Sequence, residues 1–170
     1  VEPPEKWQLF KEAPTGRYRK GRMSYTSLNY HIVFSTKERR ASFNEEQVQA
    51  VCRYIGGILR NQKGCLLTAN GVADHLHLAA SLHPQMCLSD CLREIKASSS
   101  RWIHGNYVDL KQFSWQDGYS AFSVSYSGLD AVLAYIKNQK EHHRKMTFEE
   151  ELTALLKKHN IHYDPQYVFG

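Results

Sequence analysis

The chain has 170 residues, 42% of them hydrophobic and 23% charged, enough for one domain with its own hydrophobic core. No apolar run approaches the ~20 residues of a membrane span, and Glu2, Pro3, Pro4 and Glu5 argue against a signal peptide. A formal net charge of +5 favours a polyanionic partner.

Residues 1–22 are rich in Pro, Gly and charge and lack periodicity, so they read as a basic N-terminal extension. Residues 23–170 read as a single domain. The four cysteines, Cys52, Cys65, Cys87 and Cys91, show no second pair at zinc-knuckle spacing. They read as free thiols, which suit a cytoplasmic protein.

Leu28 to Thr36 alternates as a strand, with Tyr30, Ile32 and Phe34 on one face and His31, Val33 and Ser35 on the other. Asn44 and Gln47 have capping-box spacing and predict a helix to Lys63, with Gly64 as its C-cap. Cys65 to Ala69 is a short strand, and Asn70-Gly71 predicts the turn after it. His75 to Leu82 alternates cleanly: His75, His77, Ala79 and Ser81 face one way, and Leu76, Leu78, Ala80 and Leu82 the other. Ser89 predicts the cap of a second long helix, residues 106–118 an irregular loop, and Tyr119 to Tyr126 a fourth strand. Ser127 with Asp130 predicts a third helix from Leu129 to about Lys145, and Thr147 with Glu150 a fourth. This order predicts an α+β, ferredoxin-like antiparallel sheet with helices on one face and additional C-terminal helices.

The histidine strand carries the strongest chemical signal. Two imidazoles on one strand face stand ~6.6–7 Å apart along the chain and form half of a metal site. On the third helix, Tyr135, Gln139 and His142 or His143 recur at one-turn spacing. A glutamine oxygen is a usable ligand for a hard cation, and a tyrosine beside it is a candidate nucleophile. Spacing alone favours the plainer reading, with Tyr135 at the edge of a core and Gln139 on the surface.

Four segments sharpen this reading: Tyr30 to Lys37, Asp74 to Leu78, Trp115 to Ser125 and Tyr135 to His143. In that order they resemble the IS200/IS605-type single-tyrosine (Y1) transposases, members of the HUH endonuclease class. The resemblance runs from about Tyr25 to the C-terminus. It implies that His75 and His77 bind a metal, that Gln139 is the third protein ligand and that Tyr135 is the nucleophile. It also implies Mg²⁺ or Mn²⁺, whereas the donor set alone more readily suggests Zn²⁺ or Mn²⁺.

The implied activity is cleavage and rejoining of single-stranded DNA at hairpin ends of a mobile element, through a 5′-phosphotyrosine. Family members commonly work as homodimers in which one subunit's tyrosine helix completes the other's histidine site. Arg39, Arg40, Arg93, Lys96, Arg101, Lys137 and Lys140 are candidate phosphate contacts. The alternatives are a metal-dependent nuclease that uses water, which needs no Tyr135, and a non-catalytic nucleic-acid-binding protein, which needs neither the histidines nor Gln139.

Overall fold

Alternating side chains build a four-stranded antiparallel sheet in the order β2-β3-β1-β4, from β1 (Asn29–Ser35), β2 (Cys65–Val72), β3 (His75–Ser81) and β4 (Ser120–Val124). The structure is a computed structural model that describes residues 25–165 and 168. The basic extension at 1–22 lies outside the described residues. Helices α1 (Glu45–Asn61) and α2 (Leu88–Asn106) follow β1 and β3, which is the ferredoxin-like order. Helices α3 (Leu129–Lys137), α4 (Gln139–His142) and α5 (Phe148–Lys158) come after β4.

The two faces of β1 and β3 serve different purposes. Ile32, Phe34, Leu76, Leu78, Ala80 and Leu82 pack against the stripes of α1 and α2, among them Val51, Ile55, Leu59, Leu92, Ile95 and Ile103. On the other face, Val33 and Phe122 meet Phe148, Leu152 and Leu156 of α5. The C-terminal helices therefore roof the histidine face, and β1 and β3 are buried on both sides.

Two of the three predicted capping pairs are present, Asn44 with Gln47 and Thr147 with Glu150, whereas Ser127 does not cap α3, whose N-cap position is held by Gly128 without a side-chain cap. Several boundaries differ from the sequence expectation for local reasons. The left-handed residue after α1 is Lys63 (φ 61°) rather than Gly64. A Cβ on Gly64 would instead lie 3.1 Å from the Ser81 carbonyl oxygen. Helix α2 starts earlier than expected, with Cys87 rather than Ser89 at its N-cap position and no side-chain cap. Asn70-Gly71 is not a turn: β2 continues through both to Val72, and Ala73 and Asp74 make the connection.

Helix α3 stops at Lys137 instead of running on to Lys145. Asn70 Nδ2 donates to the Lys137 carbonyl at 2.9 Å, satisfying one of the helix-end acceptors that a continuing helix would have used. Asn138 bends the chain (φ −95°, ψ 19°), and Gln139 opens α4.

The 106–118 segment is more ordered than a polar loop. Trp115 pairs with Thr36 in an isolated bridge, and its ring packs edge-on against Phe34 at 4.8 Å between centroids. Ser99 on α2, buried, accepts a hydrogen bond from Trp115 Nε1 at 2.9 Å and donates to the Ile95 carbonyl at 2.6 Å. Ser99→Ala would leave the buried indole N–H without a partner and is expected to cost about 1–3 kcal/mol. A urea midpoint equal to that of the wild type would show that another group satisfies it.

Candidate active site

Strand β3 delivers His75 and His77 to one buried spot, both with 0% exposure. Each has its Nδ1 engaged from behind. Asp74 Oδ1 accepts from His75 Nδ1 at 2.7 Å, and His77 Nδ1 meets His31 Nε2 at 3.0 Å. With both Nδ1 atoms as donors, both Nε2 atoms present a lone pair under α3–α5. This is the arrangement by which outer partners orient metal-binding imidazoles. Arg39 fixes Asp74 in turn, through an ion pair at 3.0 Å.

The C-terminal helices bring four further groups to that spot. Tyr135, half-buried on α3, donates its hydroxyl to Glu151 Oε1. Gln139, fully buried, donates from Nε2 to the same oxygen at 3.1 Å. The other carboxylate oxygen, Glu151 Oε2, lies 3.3 Å from His77 Nε2, 3.0 Å from His143 Nε2 and 3.7 Å from His75 Nε2. His75 Nε2 and His143 Nε2 are 2.9 Å apart. Hence the predicted residues His75, His77, Tyr135 and Gln139 do converge, within a single chain.

The electrostatics follow from burial. It pushes His75 down to about 4, with only partial relief from Asp74, and His31 down to about 3. Neutral His31 can therefore accept from His77. Burial, reinforced by the adjoining Glu151 carboxylate, pushes the Tyr135 phenol above its ordinary range. For Glu151, burial raises the carboxyl, but the adjoining His143 and His77 rings and the Tyr135 hydroxyl outweigh it and hold the group below the usual carboxylate range.

The two histidine shifts have one sign for stability. The unfolded histidines take up protons near 6.5, while His75 and His31 resist them until about 4 and about 3. The unfolded state therefore binds more protons as pH falls, and stability drops progressively below 6.5. In the presence of a chelator, the urea midpoint is expected to decline from pH 6.5 to 4. A flat midpoint across that window would contradict the buried, neutral imidazoles.

The candidate phosphate contacts are scattered, and most already have protein partners. Arg39 pairs with Asp74 and Glu149, Arg40 with Glu38, Arg93 with Asp90, and Lys140 with Glu45. Arg101 meets Glu94 and Ser98. Lys96 Nζ donates to the Gln116 and Gly118 carbonyls and so anchors the Trp115 segment rather than projecting from α2. Arg93, Lys96 and Arg101 belong to α2, which packs on the leucine face, so they lie across the sheet from the histidines. Arg39 is the member of this set beside the site: its guanidinium covers the Phe148 ring at 4.5 Å, and it borders a cavity of about 460 Å³ lined also by His75, His143 and Arg144. Lys137 is exposed at the end of α3.

Three contributors had no role assigned from the sequence. His31 was visible as a polar residue on the histidine face of β1, in register with Ala79 and diagonal to His77. His143 completed the one-turn series that starts at Tyr135 and Gln139. Glu151 left the faintest signal, a carboxylate on the apolar stripe between Phe148 and Leu152, buried at 2% exposure.

Comparison with known proteins places these features. Residues 24–139 match the family model described as "Transposase IS200 like". The chain is 31% identical over 117 residues to the transposase for insertion sequence element IS200 of Salmonella typhimurium, covering 66% of this chain and 76% of that one. It is 28% identical over 132 residues to the ISDra2 transposase TnpA of Deinococcus radiodurans, covering 72% and 91%. A crystal structure of a candidate transposase from Deinococcus radiodurans R1 superposes with a TM-score of 0.58 at 25% identity, over 72% of this chain and 98% of that one. The structure of a REP-associated tyrosine transposase bound to a REP hairpin shares the fold, with a TM-score of 0.55 at 18% identity over 74% of each chain.

Proposed function

The chain belongs to the IS200-like transposase family, and on that premise we propose that it cleaves and rejoins single-stranded DNA through a 5′-phosphotyrosine on Tyr135. The observation that supports this best is the shared carboxylate: one oxygen of Glu151 holds the Tyr135 hydroxyl and the other faces the histidine nitrogens. A candidate nucleophile and a candidate metal centre thus meet at one residue.

The residues suit a divalent cation. His77 Nε2, Gln139 Oε1 and Glu151 Oε2 are buried atoms with no hydrogen-bond partner among the described residues, a costly arrangement unless something positive satisfies them. His75, His77 and Gln139 would hold Mg²⁺ or Mn²⁺. When bound, such an ion polarises the scissile phosphate and offsets the charge developing on it.

In the reaction, Tyr135 Oη forms a bond to phosphorus in line with the departing 3′ oxygen. The P–O3′ bond breaks, the phenolic proton is lost, and the released end gains a proton as a 3′-hydroxyl. A different 3′-hydroxyl then attacks the phosphotyrosine, restoring the phenol and a phosphodiester. Splitting one transfer into two reversible steps requires no nucleotide cofactor. The partner is single-stranded DNA carrying a hairpin end of a mobile element, met in the cytoplasm.

Incubating the protein with Mn²⁺ and end-labelled hairpin DNA tests this reading. The 3′-labelled fragment should stay attached to the protein on a denaturing gel, and the 5′-labelled fragment should be released. Cleavage without an adduct would favour a water-using nuclease, and binding without cleavage a non-catalytic binder.

Each chain's own Tyr135 serves its own histidines in this proposal, because both sit under one chain's roof of helices. A homodimer then brings two DNA ends together instead of building the site. Mixing a His77→Ala protein with a Tyr135→Phe protein should leave the adduct absent. Restored adduct in the mixture would show that the tyrosine acts across subunits.

A further inference from the structure

We propose that the metal centre is larger than a His-His-Gln set: His143 and Glu151 are ligands as well, and the resulting three-imidazole, one-carboxylate site selects a first-row transition-metal ion over Mg²⁺. This rests on the reading of the site as a metal centre. It concerns residues beyond the 24–139 segment that matches the family model.

The first argument is geometric. One ligand atom from each of His75, His77, His143 and Glu151 lies within 4.8 Å of all the others. The closest approaches are 2.9 Å between the His75 and His143 Nε2 atoms and 3.0 Å between His143 Nε2 and Glu151 Oε2. Ligands bound at about 2.1 Å to one ion stand roughly 3.0–3.4 Å apart. Four of the six pairs stand at 2.9, 3.0, 3.3 and 3.7 Å, close to that spacing, and the others lie within 4.8 Å, so a common ion would need to draw the group only slightly closer.

The second argument counts protons. His75 Nδ1 donates to Asp74, so neutral His75 presents only a lone pair at Nε2. The same holds for His77 when its Nδ1 donates to His31. Glu151 Oε2 is an acceptor. His143 can donate one proton to this cluster and cannot satisfy three acceptors. Two of the three, His77 Nε2 and Glu151 Oε2, are buried and have no hydrogen-bond partner among the described residues. A cation is the group that satisfies converging lone pairs.

The third argument is chemical preference. Imidazole nitrogens favour transition ions, whereas Mg²⁺ prefers an oxygen shell and keeps several of its waters. Three imidazoles and one carboxylate within a buried cluster supply little oxygen. Glu151 also holds the Tyr135 hydroxyl and the Gln139 amide, so an ion bound here is one carboxylate away from the nucleophile.

Calorimetry with Mn²⁺ and with Mg²⁺, and NMR of the Co²⁺-loaded protein, test the proposal independently of DNA cleavage. The wild type should bind one Mn²⁺ per chain at least about tenfold more tightly than Mg²⁺. Its Co²⁺ form should show three hyperfine-shifted, exchangeable imidazole N–H signals. His143→Ala, at a partly exposed position, should lose one signal and weaken Mn²⁺ at least about tenfold. Glu151→Gln should weaken Mn²⁺ similarly while keeping all three signals. Two signals in the wild type, or His143→Ala binding Mn²⁺ as the wild type does, would overturn the enlarged site and leave His75, His77 and Gln139 as the holders. A wild type that binds no ion would overturn it too, yet a DNA adduct formed by that same protein would leave the tyrosine reading standing.

Discussion

Tyr135→Phe is expected to abolish the covalent adduct and to lower strand cleavage by about three orders of magnitude or more, which is about 4 kcal/mol of barrier. The change removes one oxygen and leaves the ring. That ring packs against His142 at 4.5 Å, His31 at 5.8 Å and His77 at 6.1 Å between centroids, so the surrounding helices keep their contacts. Glu151 Oε1 loses the phenol but retains the Gln139 amide. DNA affinity should therefore stay within about twofold, because no phosphate contact is removed. Single-turnover cleavage with labelled DNA, alongside a binding titration, separates the two effects. A Tyr135→Phe protein that still cuts at a comparable rate would identify water as the nucleophile and remove the tyrosine from the mechanism.

The site was legible where its determinants are local, and illegible where they lie in tertiary contacts. His75 and His77 could be placed on one face because a strand alternates with period two. The caps Asn44 and Thr147 could be placed because a capping box is a four-residue interaction. Glu151 could not be assigned that way. Its own helix gives a buried position only, and its meaning comes from Tyr135, Gln139 and His143 arriving from other elements. Helix α3 ends early for the same kind of reason, since the group that meets its last carbonyl is Asn70 of β2. The scattered basic residues show the same dependence on tertiary contacts from the other side. Composition counts charges, but Lys96 and Arg39 are already committed to carbonyls and carboxylates that only the fold brings near.

Gly71→Ala is expected to be the most damaging single-methyl change in the sheet. Asn70-Gly71 has the composition of a turn, yet both residues lie within β2, paired with His77 and Leu76. The glycine is there for space. A Cβ at position 71 would stand 2.3 Å from the His75 carbonyl oxygen and 2.7 Å from Leu76 Cδ2. The first of these is backbone and cannot rotate away, so β3 itself has to shift. Overpacking of this kind costs about 3 kcal/mol or more, which for a chain of this size lowers the melting temperature by roughly 6–12 °C. The displaced segment carries His75 and its bond to Asp74, so Mn²⁺ affinity should fall together with stability. A purely local accommodation would separate the two. Thermal unfolding and Mn²⁺ titration of Gly71→Ala at a temperature where it remains folded distinguish these outcomes. A variant with wild-type stability and wild-type Mn²⁺ affinity would mean that β2 can bow away from β3, and that the histidine strand is not pinned by close approach at Gly71.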